Sequence, residues 1–264
     1  MHPLPFFLEG GLMDNQTKWT ELLQQAVIEP GLILRAYSAF HGYSLSNQVA
    51  ALIQCAQRQV EPGPINTYPG WSSLGRQVKK GEKALWLCMP LTRKSKDEDR
   101  KGETVITNFV WKPRWFTLAQ TEGEPIEAQT SPAWDKARAL AALGIEEIPF
   151  TLTDGNVQGY AQKRQVAISP LAAMPHKTLL HELAHVELGH TLESDFKDSE
   201  HTPRSLREAE AEAVAMLLCE SLELPGSEYA RGYIQSWLKG DVIPEKSAQK
   251  IFGAADRILR AGTI

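Results

Sequence analysis

Thr178-Leu179-Leu180-His181-Glu182-Leu183-Ala184-His185-Val186 reads as one apolar helix carrying the pattern HExxH. On a helix, positions i and i+4 share a face, so His181 and His185 can present two imidazole nitrogens to one ion. An unpaired histidine pair and a glutamate on a buried helix are costly, and a bound cation relieves that cost. A solvated or hydrogen-bonded helix face is the competing reading, and it leaves the apolar flanks unexplained. Zinc suits the pattern, with manganese as the alternative. Glu182, beside the first ligand, is then placed to take a proton from water during attack on a carbonyl.

A catalytic zinc site takes three protein ligands and keeps one open position. Three sources compete for the third ligand. The stretch Leu206 to Leu218 is a second helix rich in alanine and glutamate. Glu208 and Glu212 lie one turn apart on it, so Glu208 can ligate while Glu212 accepts the spare N–H of a ligand histidine. Glu210 is turned about 160° from that face, at roughly 100° per residue, and is the weaker candidate. His190 is the second source. The three-histidine pattern places glycine at +7 and its last ligand at +10. Here Gly189 and His190 fall at +8 and +9 after His181, which is the wrong frame. His201, in the polar loop Asp195 to Pro203, is the third source and reads as a surface residue.

Upstream, Val157 to Ala161 and Gln165 to Ser169 read as a strand pair around a polar turn, ended by Pro170, with the zinc helix beginning after Pro175. Such a strand can accept an extended peptide by strand addition. Tyr160 on it is a candidate for holding an oxyanion or substrate, against the plainer reading of a strand tyrosine packed on the helix.

The 264 residues leave room for two domains with cores of their own. Hydrophobic content of 42% with no apolar run near ~20 residues argues against membrane spans. Met1 to Leu12 is apolar but lacks a basic segment and a cleavage site, so it does not read as a signal peptide, and Met13 is an alternative start. Cys55, Cys88 and Cys219 are odd in number, widely spaced and set among apolar residues. They read as buried free thiols of a reducing cytoplasm.

The polar, proline-punctuated stretch Glu122 to Pro132 divides the chain. Residues 1–130 hold 14 Lys+Arg against 13 Asp+Glu, and residues 131–264 hold 14 against 19. Within the first half, residues 71–120 hold 11 basic against 5 acidic side chains, which gives this half a basic face. Helices are expected over Lys18–Val27, Pro30–Phe40 and Gln48–Cys55, then strands over Ala84–Pro90, Thr104–Val110 and Phe116–Leu118. A solvated hairpin tip is expected near Arg93–Lys101. Trp71, Trp86, Trp111 and Trp115 alternate with Arg76, Lys79, Lys80, Lys83, Lys112 and Arg114. That mixture suits single-stranded nucleic acid, where bases stack on rings and cations follow the backbone. The same tryptophans also fit a protein core.

YSLSNQVAALIQ, GWSSLGRQVKKGEKALWLCMP and FTLAQTEG resemble the amino-terminal domain of the ArdC-type antirestriction proteins. GYAQKRQVAISP, HKTLLHELAHVELGH and REAEAEAVAMLLCESL resemble the metallopeptidase domain that follows it in that family. The resemblance implies a two-domain α+β protein. Residues 14–122 would bind single-stranded DNA, 123–132 would link, and 133–264 would form a zincin-like metallopeptidase domain around the HExxH helix. It implies a cytoplasmic protein of a plasmid or phage that protects incoming DNA from restriction. His181, His185 and Glu208 would hold the metal, Glu182 would be catalytic, and Asn47, Gln48, Trp71, Arg76, Lys79, Lys80 and Lys83 would contact DNA. Glutamate at 212 stands where related peptidases of the two-His, one-Glu type carry aspartate.

The expected partners are single-stranded DNA and a protein substrate or restriction enzyme, with no membrane. Two alternatives stand beside peptide hydrolysis. One is a non-catalytic protein with a structural metal that shields DNA or occupies a restriction enzyme. The other is a regulatory peptidase that cleaves a repressor.

Overall fold

The computed structural model describes residues 17–94, 104–127, 130–191, 203–238 and 242–264. His201 and most of the expected hairpin tip lie outside them. The chain divides into two units, one holding Ala39–Gln129 and the other combining Trp19–Ser38 with Thr130–Ile264. Trp19–Ser38, within the first domain expected over 14–122, clusters by its contacts with the second unit.

That segment supplies α1 (Trp19–Ile28) and the start of α2 (Leu32–Phe40). Leu22, Leu23, Ala26, Val27, Leu32, Ile33 and Ala36 are all buried. The helix ends explain its attachment. The last carbonyls of one helix and the first N–H groups of the next have no partners within the helices. Buried Arg231 donates to the carbonyls of Ala26 and Val27 and to the Glu220 carboxylate, which accepts the Ile33 N–H at 3.1 Å. One ion pair thus serves both ends. Burial raises the Glu220 carboxyl above its ordinary value, opposed by Arg231. At the other end of α1, Glu245 accepts the N–H groups of Trp19 and Thr20 at 2.8 and 3.0 Å.

The first unit contains α3 (Leu45–Arg58), β1 (Ile65–Thr67), α4 (Tyr68–Ser73), β2 (Arg76–Val78), β3 (Leu85–Lys94), β4 (Thr104–Thr117) and β5 (Thr121–Gly123). One antiparallel sheet has the order β1-β4-β3, and β2 pairs with β5. The third strand expected at Phe116–Leu118 is the far end of β4, where Phe116 and Thr117 pair with β1. The outer edge of β3 presents backbone groups that need partners. Asn47 accepts the Cys88 N–H at 2.7 Å and donates to the Cys88 carbonyl at 2.9 Å. Two helical turns on, Gln54 does the same for Trp86, with both bonds at 2.8 Å. The two amides of α3 stand in for a missing strand.

The second unit continues with α5 (Lys136–Leu143), β6 (Glu146–Glu147), β7 (Gly159–Gln162), β8 (Gln165–Ile168), α6 (Pro175–Glu187), α7 (Arg204–Ser221), α8 (Ser227–Leu238) and α9 (Glu245–Gly262). The sheet order is β6-β8-β7, with β7 antiparallel to β8 as expected and β6 parallel to it. Helix α7 packs against α6, α8 and α9. Ala209, Ala211, Ala213 and Ala215 are fully buried, which lets neighbouring helices approach closely. No helix among the described residues is long and apolar enough to cross a membrane.

Replacing Asn47 with Leu would leave the Cys88 N–H and carbonyl buried and unpaired, a loss of about 2–4 kcal/mol. The expected result is a lower urea midpoint, and an unchanged midpoint would refute this role. Burial pushes the thiols of Cys55 and Cys219 up to about 12 and that of Cys88 to about 11. All three should resist iodoacetamide at pH 8 in the native state and react once unfolded. Because folding raises these values above the ordinary 9.0, their contribution favours the folded state below pH 9 and is lost as pH climbs through 11–12. Rapid native labelling of any of them would contradict this placement.

Candidate metal centre

Helix α6 opens with Pro175 at its first position and buries Leu179, Leu180, Leu183, Ala184 and Val186. That packing fixes its rotation and turns His181 and His185 to one side, where their Nε2 atoms lie 3.0 Å apart. Helix α7 brings the Oε2 of Glu208 to 3.5 Å from His181 Nε2 and 3.6 Å from His185 Nε2. A tetrahedral ion held at about 2.0–2.1 Å places its ligand atoms about 3.3 Å from one another. The observed separations bracket that value. Two imidazole lone pairs facing each other at 3.0 Å repel unless a cation or proton lies between them, so the donor set and its spacing both fit a divalent ion.

Charge follows the same geometry. Burial lowers the His181 imidazole, but Glu208 and Glu212 outweigh it and push it up to about 9. The bonds from His181 and His185 hold the Glu208 carboxyl well below the usual carboxylate range. Glu182 is 7% exposed, and burial raises its carboxyl against the pull of both histidines. It has no side-chain hydrogen bond to the three converging groups.

Glu212 has its Oε1 at 3.3 Å from His181 Nδ1 and 2.9 Å from Lys177 Nζ. The contact to His181 lies off the N–H axis, and that Nδ1 has no aligned hydrogen bond. Tyr160 lines the cleft with Gly159 and Ala161, its ring tilted against Phe150 at 5.8 Å. The cleft holds about 470 Å³ and is also lined by Arg204 and Arg207. Gly159 is required by a close approach: a Cβ there would stand 2.6 Å from Thr178 Cγ2 and 3.3 Å from Glu182 Cγ.

His190 stands outside the converging set of His181, His185 and Glu208. Its Nδ1 lies 3.0 Å from His185 Nδ1 and its Nε2 lies 2.8 Å from Glu210 Oε2. Glu210 does face away from the metal site, yet it is buried and not solvated. Burial raises its carboxyl, but His190 and Ser247 outweigh that and lower it. Sequence reasoning seeks His190 within a ligand frame and so passes over it. The available signal is Gly189, whose φ of 79° ends α6 and turns the next residue back.

The seven residues expected on DNA divide. Asn47, Gln48 and Trp71 are buried, with Asn47 bonded to β3, Gln48 donating to the Tyr43 carbonyl and Trp71 Nε1 donating to the Phe116 carbonyl at 2.9 Å. Arg76 is half-buried and donates to Thr121 and Gly123 across the β2–β5 pair. Lys79 is exposed, with its Nζ on the Ala119 carbonyl at 2.8 Å, and Lys80 and Lys83 are exposed.

Residues 9–132 match the family of the N-terminal domain of anti-restriction factor ArdC. Residues 141–231 match the IrrE N-terminal-like domain of the M78 peptidases. Two crystal structures of the antirestriction ArdC protein from R388 plasmid share the fold, one metal-free and one Mn(II)-bound. Each is 22% identical with a TM-score of 0.53, covers 92% of this chain, and is itself covered over 94% and 97% of its length respectively. No curated protein matches the sequence. The chain thus joins an ArdC N-terminal domain to an IrrE N-terminal-like domain, on a fold that it shares with the antirestriction ArdC protein.

Proposed function

We propose that the chain binds single-stranded DNA through its first unit and hydrolyses a peptide bond at the metal centre of its second, protecting entering DNA from restriction. The observation that carries the hydrolytic half is the convergence of His181 Nε2, His185 Nε2 and Glu208 Oε2 within 3.6 Å of one another, with Glu182 buried alongside. A divalent ion in that set supplies Lewis acidity, polarising a carbonyl and acidifying water. Two nitrogens and one carboxylate oxygen accept zinc or manganese, and one relative's crystal structure holds Mn(II).

The chain's own groups account for the remaining work. Glu182, its carboxyl raised by burial, receives a proton from attacking water and returns it to the leaving amine. Strand β7 is at the edge of its sheet and lines the cleft, so an extended peptide can pair with its open side. Tyr160 on that strand is the candidate to steady the developing oxyanion. Glu212, paired with Lys177, places its negative charge beside the spare nitrogen of His181.

For DNA, the supporting feature is the exposed run Lys79, Lys80 and Lys83 beside Arg76, with Trp71 and Trp111 buried and Trp86 and Trp115 half-buried. Burial of Trp71 moves the reading from base stacking toward phosphate contact, which carries no sequence preference.

Glu182→Gln should keep the metal and lower peptide hydrolysis by about 10²–10⁴-fold, read with a cleaved protein substrate in parallel with metal analysis. Cleavage at the parent rate would remove Glu182 from the mechanism. Lys79→Ala with Lys80→Ala should weaken binding of an oligodeoxythymidylate strand and shrink its log–log salt slope by about 0.7 for each lost phosphate contact. If the slope stays the same, that face does not bind DNA.

A further inference from the structure

Helix α6 ends in a Schellman turn. The Gly189 N–H bonds the Val186 carbonyl at 3.1 Å and the His190 N–H bonds the His185 carbonyl at 2.9 Å, with Gly189 in the left-handed conformation. This folds the residue after the glycine back along the helix, so that the His190 ring meets the far side of His185. Beyond it lies Glu210, whose carboxylate also accepts from Ser247 on α9. The side chains of His190 and Glu210 are 8% and 3% exposed.

Proton positions in this row are fixed once one of them is. His185 offers Nε2 to the metal centre only when that nitrogen is bare, so its proton sits on Nδ1. It then donates to His190 Nδ1, which must be bare, leaving His190 protonated at Nε2 and donating to Glu210. Each of the two contacts, 3.0 and 2.8 Å, then holds one proton and every buried polar atom in the row has a partner. With the proton on His185 Nε2 instead, His190 must face a bare Nδ1 with a bare Nδ1, set its own bare Nε2 against the Glu210 carboxylate, or take up a second proton. A buried, ionised carboxylate is expensive to keep, and this one has no direct contact with the three converging ligand groups.

We infer that His190 and Glu210 are positioning residues for the metal ligand His185, locking its tautomer and ring angle, while Glu212 backs His181 separately. The alternation Glu208-Ala209-Glu210-Ala211-Glu212 thereby acquires three distinct duties: one glutamate ligates, and each of the other two stands behind a different histidine. This inference rests on the metal-centre reading. Its test separates the two.

The full chain, stripped of metal, is titrated with Co²⁺ against a competing chelator, following the visible absorption of the bound ion. Metal-free melting temperature is recorded in parallel. His190→Phe keeps the ring's volume but removes both hydrogen bonds and should weaken Co²⁺ binding about 10–100-fold. His190→Asn restores an acceptor near the Nδ1 position and should recover most of that loss. Glu210→Gln keeps shape and acceptor while removing the charge, giving an intermediate affinity in a chain that melts like the parent. If His190→Phe fails to fold, Glu210→Gln alone decides. Parent-like Co²⁺ affinity in the variants that fold, or a His190→Asn as weak as His190→Phe, overturns the positioning role. A parent that takes up no Co²⁺ overturns the metal-centre reading as well.

Discussion

Two helices must hold two imidazoles and a carboxylate within a few ångström of each other, the imidazoles largely buried and the carboxylate on the wall of the cleft. That crowding is the constraint to which the second unit is built. Left alone, such groups repel or capture protons, and the high His181 and low Glu208 values express that tension. Apolar packing supplies the opposing force. Leu179, Leu180, Leu183 and Val186 lock the rotation of α6, and the buried alanines of α7 bring its backbone close enough for a short carboxylate to reach. Lys177 and Ser247 then balance the surrounding glutamates.

The first unit solves a different problem with similar economy. Its sheet ends in a strand whose outer backbone groups would otherwise be left bare, and two side-chain amides from one helix satisfy them. Amides are well suited because each carries a donor and an acceptor on one planar group, matching the alternating polarity of a strand edge. The consequence for surface chemistry is a division of labour: Trp71 and Trp111 fill the interior, while Lys79, Lys80 and Lys83 between them stay outside.

Much of the candidate metal centre is legible in the sequence because its geometry is local. A four-residue spacing on an apolar helix puts His181 and His185 on one face whatever surrounds them, and the need for a third ligand points to Glu208. The pairing of His190 with Glu210 is not legible, since the angle at which Glu210 leaves α7 says nothing about what occupies the space beyond. That depends on the turn after α6, which carries a histidine back toward another helix. Trp71 misleads for a related reason: an aromatic residue flanked by cations looks alike whether it stacks on a base or fills a core. The attachment of α1 and α2 is equally hidden, because an amphipathic face announces burial without naming its partner.

The attachment of those two helices has an outcome for how the molecule can be made and divided. The helices nearest the start of the chain find their seat only after Glu220, Arg231 and Glu245 have been synthesised, roughly two hundred residues later. Until then Leu22, Leu23, Leu32 and Ile33 have no lasting cover within their own unit. A fragment holding only residues 130–264 would bare the matching surface on α8 and α9. Residues 19–38 must therefore travel with it, either fused through a short bridge or supplied as a separate peptide.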